Sequence, residues 1–127
     1  MDVDAETLQH KRYGNIFSVG DASSTPNAKT AAAVRKQAPV AAVNVLAVLG
    51  GHSPRAVYNG YGSCPLVLSR GKSLLAEFSY GGVLDPTFAN WVINGKHPSR
   101  LAWWLKSLAM PSIYFDMMLR GREGFAK

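Results

Sequence analysis

Asn15-Ile16-Phe17-Ser18-Val19-Gly20-Asp21 is a short apolar run that closes on a glycine and an acid, which predicts a buried strand ending in a turn. The next residues, Ala22-Ser23-Ser24-Thr25-Pro26-Asn27, are turn formers and predict a loop. From Ala28 the composition changes, and Lys29-Thr30-Ala31-Ala32-Ala33-Val34-Arg35-Lys36-Gln37 is rich in strong helix formers. A strand, a Gly-Asp turn, a loop and a helix start in that order demand a fold that mixes sheet and helix.

The same order has a chemical use. Glycine lets a ligand approach the backbone, an aspartate accepts hydrogen bonds from sugar-like hydroxyls, and the first amides of a helix near Thr30 and Ala31 suit an anion or an electron-rich ring. By itself the Gly20-Asp21 pair equally describes an ordinary strand-to-helix turn.

Pro39 falls inside the helix-forming stretch and predicts a break or kink, and Gly50-Gly51 supplies a stop. Beyond Pro54 the pattern turns strand-like at residues 56–58, 63–69 and 72–80, with Arg70-Gly71 as a hairpin turn. Ser99 is placed to cap a helix in which Leu101, Trp104, Leu105 and Leu108 follow helical spacing. Met110-Pro111 then predicts a separation from a second short helix over residues 113–119, which is apolar almost all round and needs cover from protein or lipid. The expected fold class is α+β: a strand-loop-helix, a small antiparallel sheet and C-terminal amphipathic helices.

Composition narrows the function. Of the 127 residues, 47% are hydrophobic and 17% charged, which excludes general disorder. One cysteine, Cys64, forbids a disulfide scaffold, and three separated histidines, His10, His52 and His97, offer no spaced metal-ligand cluster, so no metal site is expected. The net charge of +6 is unevenly placed, because residues 1–21 hold four acids and two bases. The basic remainder suits anionic headgroups or phosphates. Met1-Asp2-Val3-Asp4 does not resemble a targeting signal, and the uncharged stretch 37–53, interrupted by Pro39 and Asn44, is too short to predict a membrane-spanning helix.

Two further segments carry chemistry. Cys64 lies in Gly60-Tyr61-Gly62-Ser63-Cys64-Pro65-Leu66-Val67, where permissive glycines and a rigid proline suit a presented thiol, although a lone cysteine among apolar neighbours is by default a buried, inert residue. Residues 99–122 combine Trp103, Trp104, Met117 and Met118 with Lys106, Arg120 and Arg122, the composition of a membrane-surface segment and also of core helices or a dimer interface. Nucleic acid is not expected as a partner, because bulky aliphatics rather than polar base readers separate the cations.

Three segments in order resemble the C-terminal portion of sulfide:quinone oxidoreductases, within the FAD-dependent pyridine nucleotide-disulfide oxidoreductase superfamily. They are Thr7-Leu8-Gln9-His10 through Lys29-Thr30-Ala31-Ala32-Ala33-Val34, then residues 61–66 with Leu75-Ala76-Glu77-Phe78, then Met110-Pro111 to Met118-Leu119-Arg120-Gly121. The stretch 81–97 matches poorly. The resemblance implies residues 1–51 as the end of an FAD-binding domain and 52–127 as the sheet and quinone-side helices. It implies Cys64 as the catalytic cysteine that receives sulfide sulfur as a persulfide, and Gly20, Asp21, Lys29, Thr30 and Ala31 as FAD-binding residues.

The FAD site implied is incomplete, since no Gly-x-Gly-x-x-Gly occurs in the sequence and the second redox cysteine of the family is not in it. The chain alone is expected to be inactive and prone to self-association. Its implied partners are sulfide, quinone, a missing N-terminal FAD domain, and a membrane surface met through residues 99–122. The implied location is peripheral, on a bacterial cytoplasmic membrane or, in a eukaryote, the mitochondrial inner membrane. Trp91, Trp103, Trp104, Tyr114, Phe115 and Met118 are quinone-contact candidates by chemistry only. Two alternatives stand beside this: another flavin oxidoreductase, such as a type II NADH dehydrogenase, which has no need of Cys64, and a non-enzymatic membrane-surface or oligomerisation module.

Overall fold

A computed structural model describes residues 1–89 and 91–122. The architecture is α+β, with a two-stranded antiparallel sheet, as expected. The chain divides into two compact units: Met1–Ser63 with Phe78–Asp85, and Cys64–Glu77 with Pro86–Lys127.

The first unit is organised by helix α1, Ala31–Leu49. Thr30, in extended conformation, caps it by accepting from the Ala33 N–H at 3.2 Å, and Gly50 closes it by donating to the Leu46 carbonyl. The predicted break at Pro39 does not occur, and α1 runs through it. A proline inside a helix costs about 3 kcal/mol through a lost hydrogen bond and a crowded carbonyl. Polar anchors on both sides offset that cost. Gln37, fully buried, accepts from the Gly20 N–H at 2.7 Å. Asn44, also fully buried, donates to the carbonyls of Thr7 and Ala56, each at 2.9 Å, and accepts from the N–H groups of Arg55 at 2.9 Å and Ala56 at 2.8 Å.

An unbroken α1 also changes the membrane reading of this stretch. With 19 residues and a mean hydropathy of 1.2, it is long and apolar enough to cross a bilayer by length and composition alone. Its buried amides, bonded to flanking segments, give it a packing role within the unit.

The predicted strand over residues 15–21 is not formed. Residue 17 makes one isolated antiparallel bridge to Gln9, and Gly20–Ala22 is a 3-10 turn. A strand needs a ladder of paired backbone groups, and the apolar run finds only that bridge among the described residues. Residues 56–58 likewise form no strand; the Tyr58 N–H donates singly to the Glu6 carbonyl at 2.8 Å.

The Tyr58 ring meets that of Tyr80 edge-on at 5.7 Å, and burial pushes both phenols up to about 12, so each hydroxyl stays protonated as a donor. Tyr58 donates to the Tyr61 carbonyl at 2.6 Å and Tyr80 to the Ala5 carbonyl at 2.5 Å. Gly60 has φ +84°, and a Cβ there would fall 2.3 Å from the Tyr80 ring.

Strands β1, Gly62–Ser69, and β2, Lys72–Phe78, whose central residues belong to the second unit, form the expected hairpin, turning at Arg70-Gly71 with Gly71 at φ +77°. Strand β2 alternates, burying Ser73, Leu75 and Glu77. Leu75 joins Ile93 and Ala102 in a small core, with Phe88, Leu105 and Met110 packed against it. Ser99 caps the C-terminal helical run as predicted, accepting from the Ala102 N–H at 3.0 Å.

That run departs from prediction at Pro111. Helix α2, Arg100–Trp104, continues through a π turn at Leu105–Ala109, helix α3 at Met110–Ser112, a second π turn at Ile113–Met117 and a 3-10 turn at Met118–Arg120. The expected separation is absent. Widening the hydrogen-bond pattern to i→i+5 gives room for a proline that lacks its own N–H. The run ends on Gly121 at φ +67°, with Gly121 donating to the Met118 carbonyl and Arg122 to that of Met117, a Schellman closure.

The apolar residues on this run divide into two sets. Ala102, Leu105 and Met110 face the core, whereas Leu101, Trp104, Leu108, Phe115 and Leu119 are between 49% and 62% exposed. The apolar stretch 113–119 that needed cover is therefore only partly covered by the described residues: Ile113, Met117 and Met118 are half-buried, and Tyr114, Phe115 and Leu119 are exposed.

Candidate functional site

The Gly-Asp turn is built by its neighbours. Gly20 is buried at φ +62°, where a Cβ would press on Val34 Cγ2 at 3.0 Å. Its freedom therefore serves helix packing as well as backbone geometry. Its carbonyl accepts from the Ser23 N–H at 3.1 Å and the Ser23 hydroxyl at 2.8 Å. Ser23 shares a 2.8 Å bond with Thr25, and the Lys29 ammonium donates to the Thr25 carbonyl at 2.5 Å, the Thr25 hydroxyl at 2.9 Å and Ser23 Oγ at 3.4 Å.

Lys29 thus ties together the loop that displays Asp21. Asp21 is exposed, and its carboxylate has no hydrogen-bond or ion-pair partner among the described residues. Ala31, exposed, opens α1 beside Thr30, so the helix presents its positive end with a small side chain. Gly20, Asp21, Lys29, Thr30 and Ala31 accordingly lie in one unit around one turn and one helix start.

Cys64 lies in the other unit. It is the third residue of β1, half-buried and free of disulfide. Gly60, read from sequence as allowing close approach to the thiol, gives its space to Tyr80 instead. Pro65 follows, and its carbonyl accepts from the Lys106 ammonium at 2.7 Å.

Two residues here escaped sequence reading. Lys106 resembles any other cation of a basic segment until the fold brings it to β1, 41 residues away in sequence. Glu77 is buried at the end of β2, where the Thr87 N–H at 3.1 Å and the Thr87 hydroxyl donate to its carboxylate. The period of two in β2 carried the signal for Glu77, by placing it on the face of Ser73 and Leu75. No group of three or more His, Cys, Asp or Glu that could hold a metal occurs among the described residues.

No protein-family model matches the chain. Individual relatives do. The chain is 40% identical over 125 residues to the mitochondrial sulfide:quinone oxidoreductase of Mus musculus, covering 98% of this chain and 27% of that protein. To the same-named proteins of Dictyostelium discoideum and Schizosaccharomyces pombe it is 39% and 37% identical, covering 96% and 97% of this chain and 26% and 27% of the relatives. A chain in the cryo-EM structure of the Tetrahymena thermophila mitochondrial ATP synthase, an F1Fo composite tetramer, matches with a TM-score of 0.70 and 31% identity, over 98% of this chain and 28% of that one.

The matched curated proteins share one class, the oxidoreductases. Over nearly its whole length, the chain is similar to a segment of three sulfide:quinone oxidoreductases, in agreement with the resemblance drawn from its motifs. It spans about a quarter of the length of the relatives it matches.

Proposed function

We propose that this chain is the C-terminal region of a flavoprotein that oxidises sulfide to sulfane sulfur at Cys64 and passes the electrons to a membrane quinone. The observation that carries this reading is the identity to three sulfide:quinone oxidoreductases over nearly the whole chain. Residues 1–51 then complete an FAD-binding domain, and residues 52–127 supply the thiol and the quinone side.

The Gly-Asp turn fits a flavin. An exposed, unpartnered Asp21 suits ribityl hydroxyls, and the capped start of α1, fronted by Ala31, suits the electron-rich pyrimidine edge. Gly20 sets the turn, Lys29 holds the loop, and Thr30 orients the helix start. FAD, when bound, supplies the two-electron acceptor.

At Cys64 the chain contributes the atom that takes sulfur. Hydrosulfide attacks the sulfur of Cys64 in a disulfide with a second cysteine outside this chain. An S–S bond forms at Cys64, the disulfide bond breaks, and the electron pair leaves on the second cysteine as its thiolate. Anaerobic addition of sulfide to the full-length flavoprotein is expected to bleach the oxidised flavin absorbance, and added quinone to restore it. Absence of bleaching with flavin fully bound overturns the reading.

The exposed face of Leu101, Trp104, Leu108, Phe115 and Leu119, flanked by Lys96, Arg100 and Arg120, is proposed to rest on an anionic membrane. The protein is then peripheral, on the mitochondrial inner membrane or the cytoplasmic membrane of a bacterium. In flotation of the full-length protein with anionic liposomes, Trp104→Ser combined with Phe115→Ser is expected to lower the bound fraction about tenfold, from lost apolar burial. Unchanged flotation assigns this face to protein contact, including self-association.

A further inference from the structure

We propose that Lys106 is a positioning residue for Cys64, an inference that rests on the reading of Cys64 as the sulfur-accepting thiol. The Lys106 ammonium donates at 2.7 Å to the carbonyl of Pro65, the residue next to the thiol. Proline already fixes φ at position 65 and leaves β1 without one backbone donor there. A bond to the Pro65 carbonyl restrains the following peptide plane. The two restraints together hold the backbone on the C-terminal side of Cys64 in one orientation, which is what a thiol attacked in line along a disulfide requires.

Three observations separate this contact from an ordinary surface lysine. Lys106 is half-buried, so the tether is shielded from competing water. It has no carboxylate partner among the described residues, so its charge is uncompensated beside the Pro65 carbonyl. It sits in the π turn Leu105–Ala109, a widened helical turn of a kind frequent at functional sites. Leu105, one residue earlier, packs against the core and anchors that turn. A single bond from a long side chain adds little net stability once the ordering of the lysine is counted, so loss of the tether leaves the fold intact.

The test uses the full-length flavoprotein carrying Lys106→Met or Lys106→Arg. At saturating sulfide, Lys106→Met is expected to slow flavin reduction about tenfold or more, with FAD content and the KM for quinone unchanged, and Lys106→Arg to recover most of the rate. Alkylation of Cys64 by iodoacetamide after reduction of its disulfide, followed by mass spectrometry, gives a readout independent of turnover. Its rate is expected to change several-fold in Lys106→Met and not in Lys106→Arg. Parental reduction and alkylation rates in Lys106→Met overturn the proposal, as does loss of flavin or of folded protein, which makes Lys106 a structural residue. If Cys64→Ser keeps parental turnover, the reading of Cys64 itself falls, whatever Lys106 does.

Discussion

Cys64→Ser in the full-length protein is expected to lower sulfide-dependent flavin reduction by orders of magnitude while FAD content stays at the parental value. Serine is nearly isosteric with cysteine, and Cys64 is half-buried in β1 with no disulfide within this chain, so the strand keeps its packing. A hydroxyl in its place forms no disulfide with the second cysteine and accepts no sulfur from hydrosulfide. The block therefore falls on the first chemical step. Stopped-flow absorbance of the flavin, with bound FAD counted after denaturation, separates loss of chemistry from loss of cofactor. Near-parental turnover would return Cys64 to the role of a buried structural residue and favour a flavin oxidoreductase that makes no use of a thiol.

Asn44→Leu is expected to destabilise this chain by about 3 kcal/mol in urea denaturation, through several buried polar groups left without partners. The change keeps the branching and heavy-atom count of the side chain while removing its polar atoms, so the effect falls chiefly on the hydrogen bonds. Two N–H groups, of Arg55 and Ala56, and two carbonyls, of Thr7 and Ala56, lose their side-chain partner together. Since Asn44 joins α1 to the N-terminal segment and to residues 55–56, the loss also removes what offsets Pro39. Asn44→Asp keeps the acceptor for both N–H groups but turns a carboxylate oxygen toward two carbonyls, and is expected to be no better. A change within about 0.5 kcal/mol for the leucine variant would mean that water takes over the four bonds.

Several elements were legible in the sequence because their signals are local. Ser99 capped its helix, Gly50-Gly51 ended α1, and Arg70-Gly71 turned the hairpin, each through a backbone preference that neighbouring residues do not override. The two prolines misled for a related reason. Pro39 and Pro111 are helix breakers in isolation, yet buried amide anchors carry α1 through the first, and π turns carry the C-terminal run through the second. The run 15–21 has the composition of a strand, but composition supplies no neighbouring strand to pair with.

For the candidate site, Gly20, Asp21, Lys29, Thr30 and Ala31 are contiguous enough that a turn followed by a helix start must gather them, so sequence alone determined that cluster. Sequence also determined the thiol and its rigid neighbour, Cys64-Pro65. Tertiary structure alone decided which groups answer them: Lys106 at the Pro65 carbonyl, Tyr80 in the space of Gly60, Asn44 bridging segments 37 and 12 residues away, and the outward direction of Trp104 and Phe115. Local pattern sets φ, ψ and the face a side chain can take. Which atoms lie opposite depends on contacts between distant segments, and those form only when the chain closes on itself.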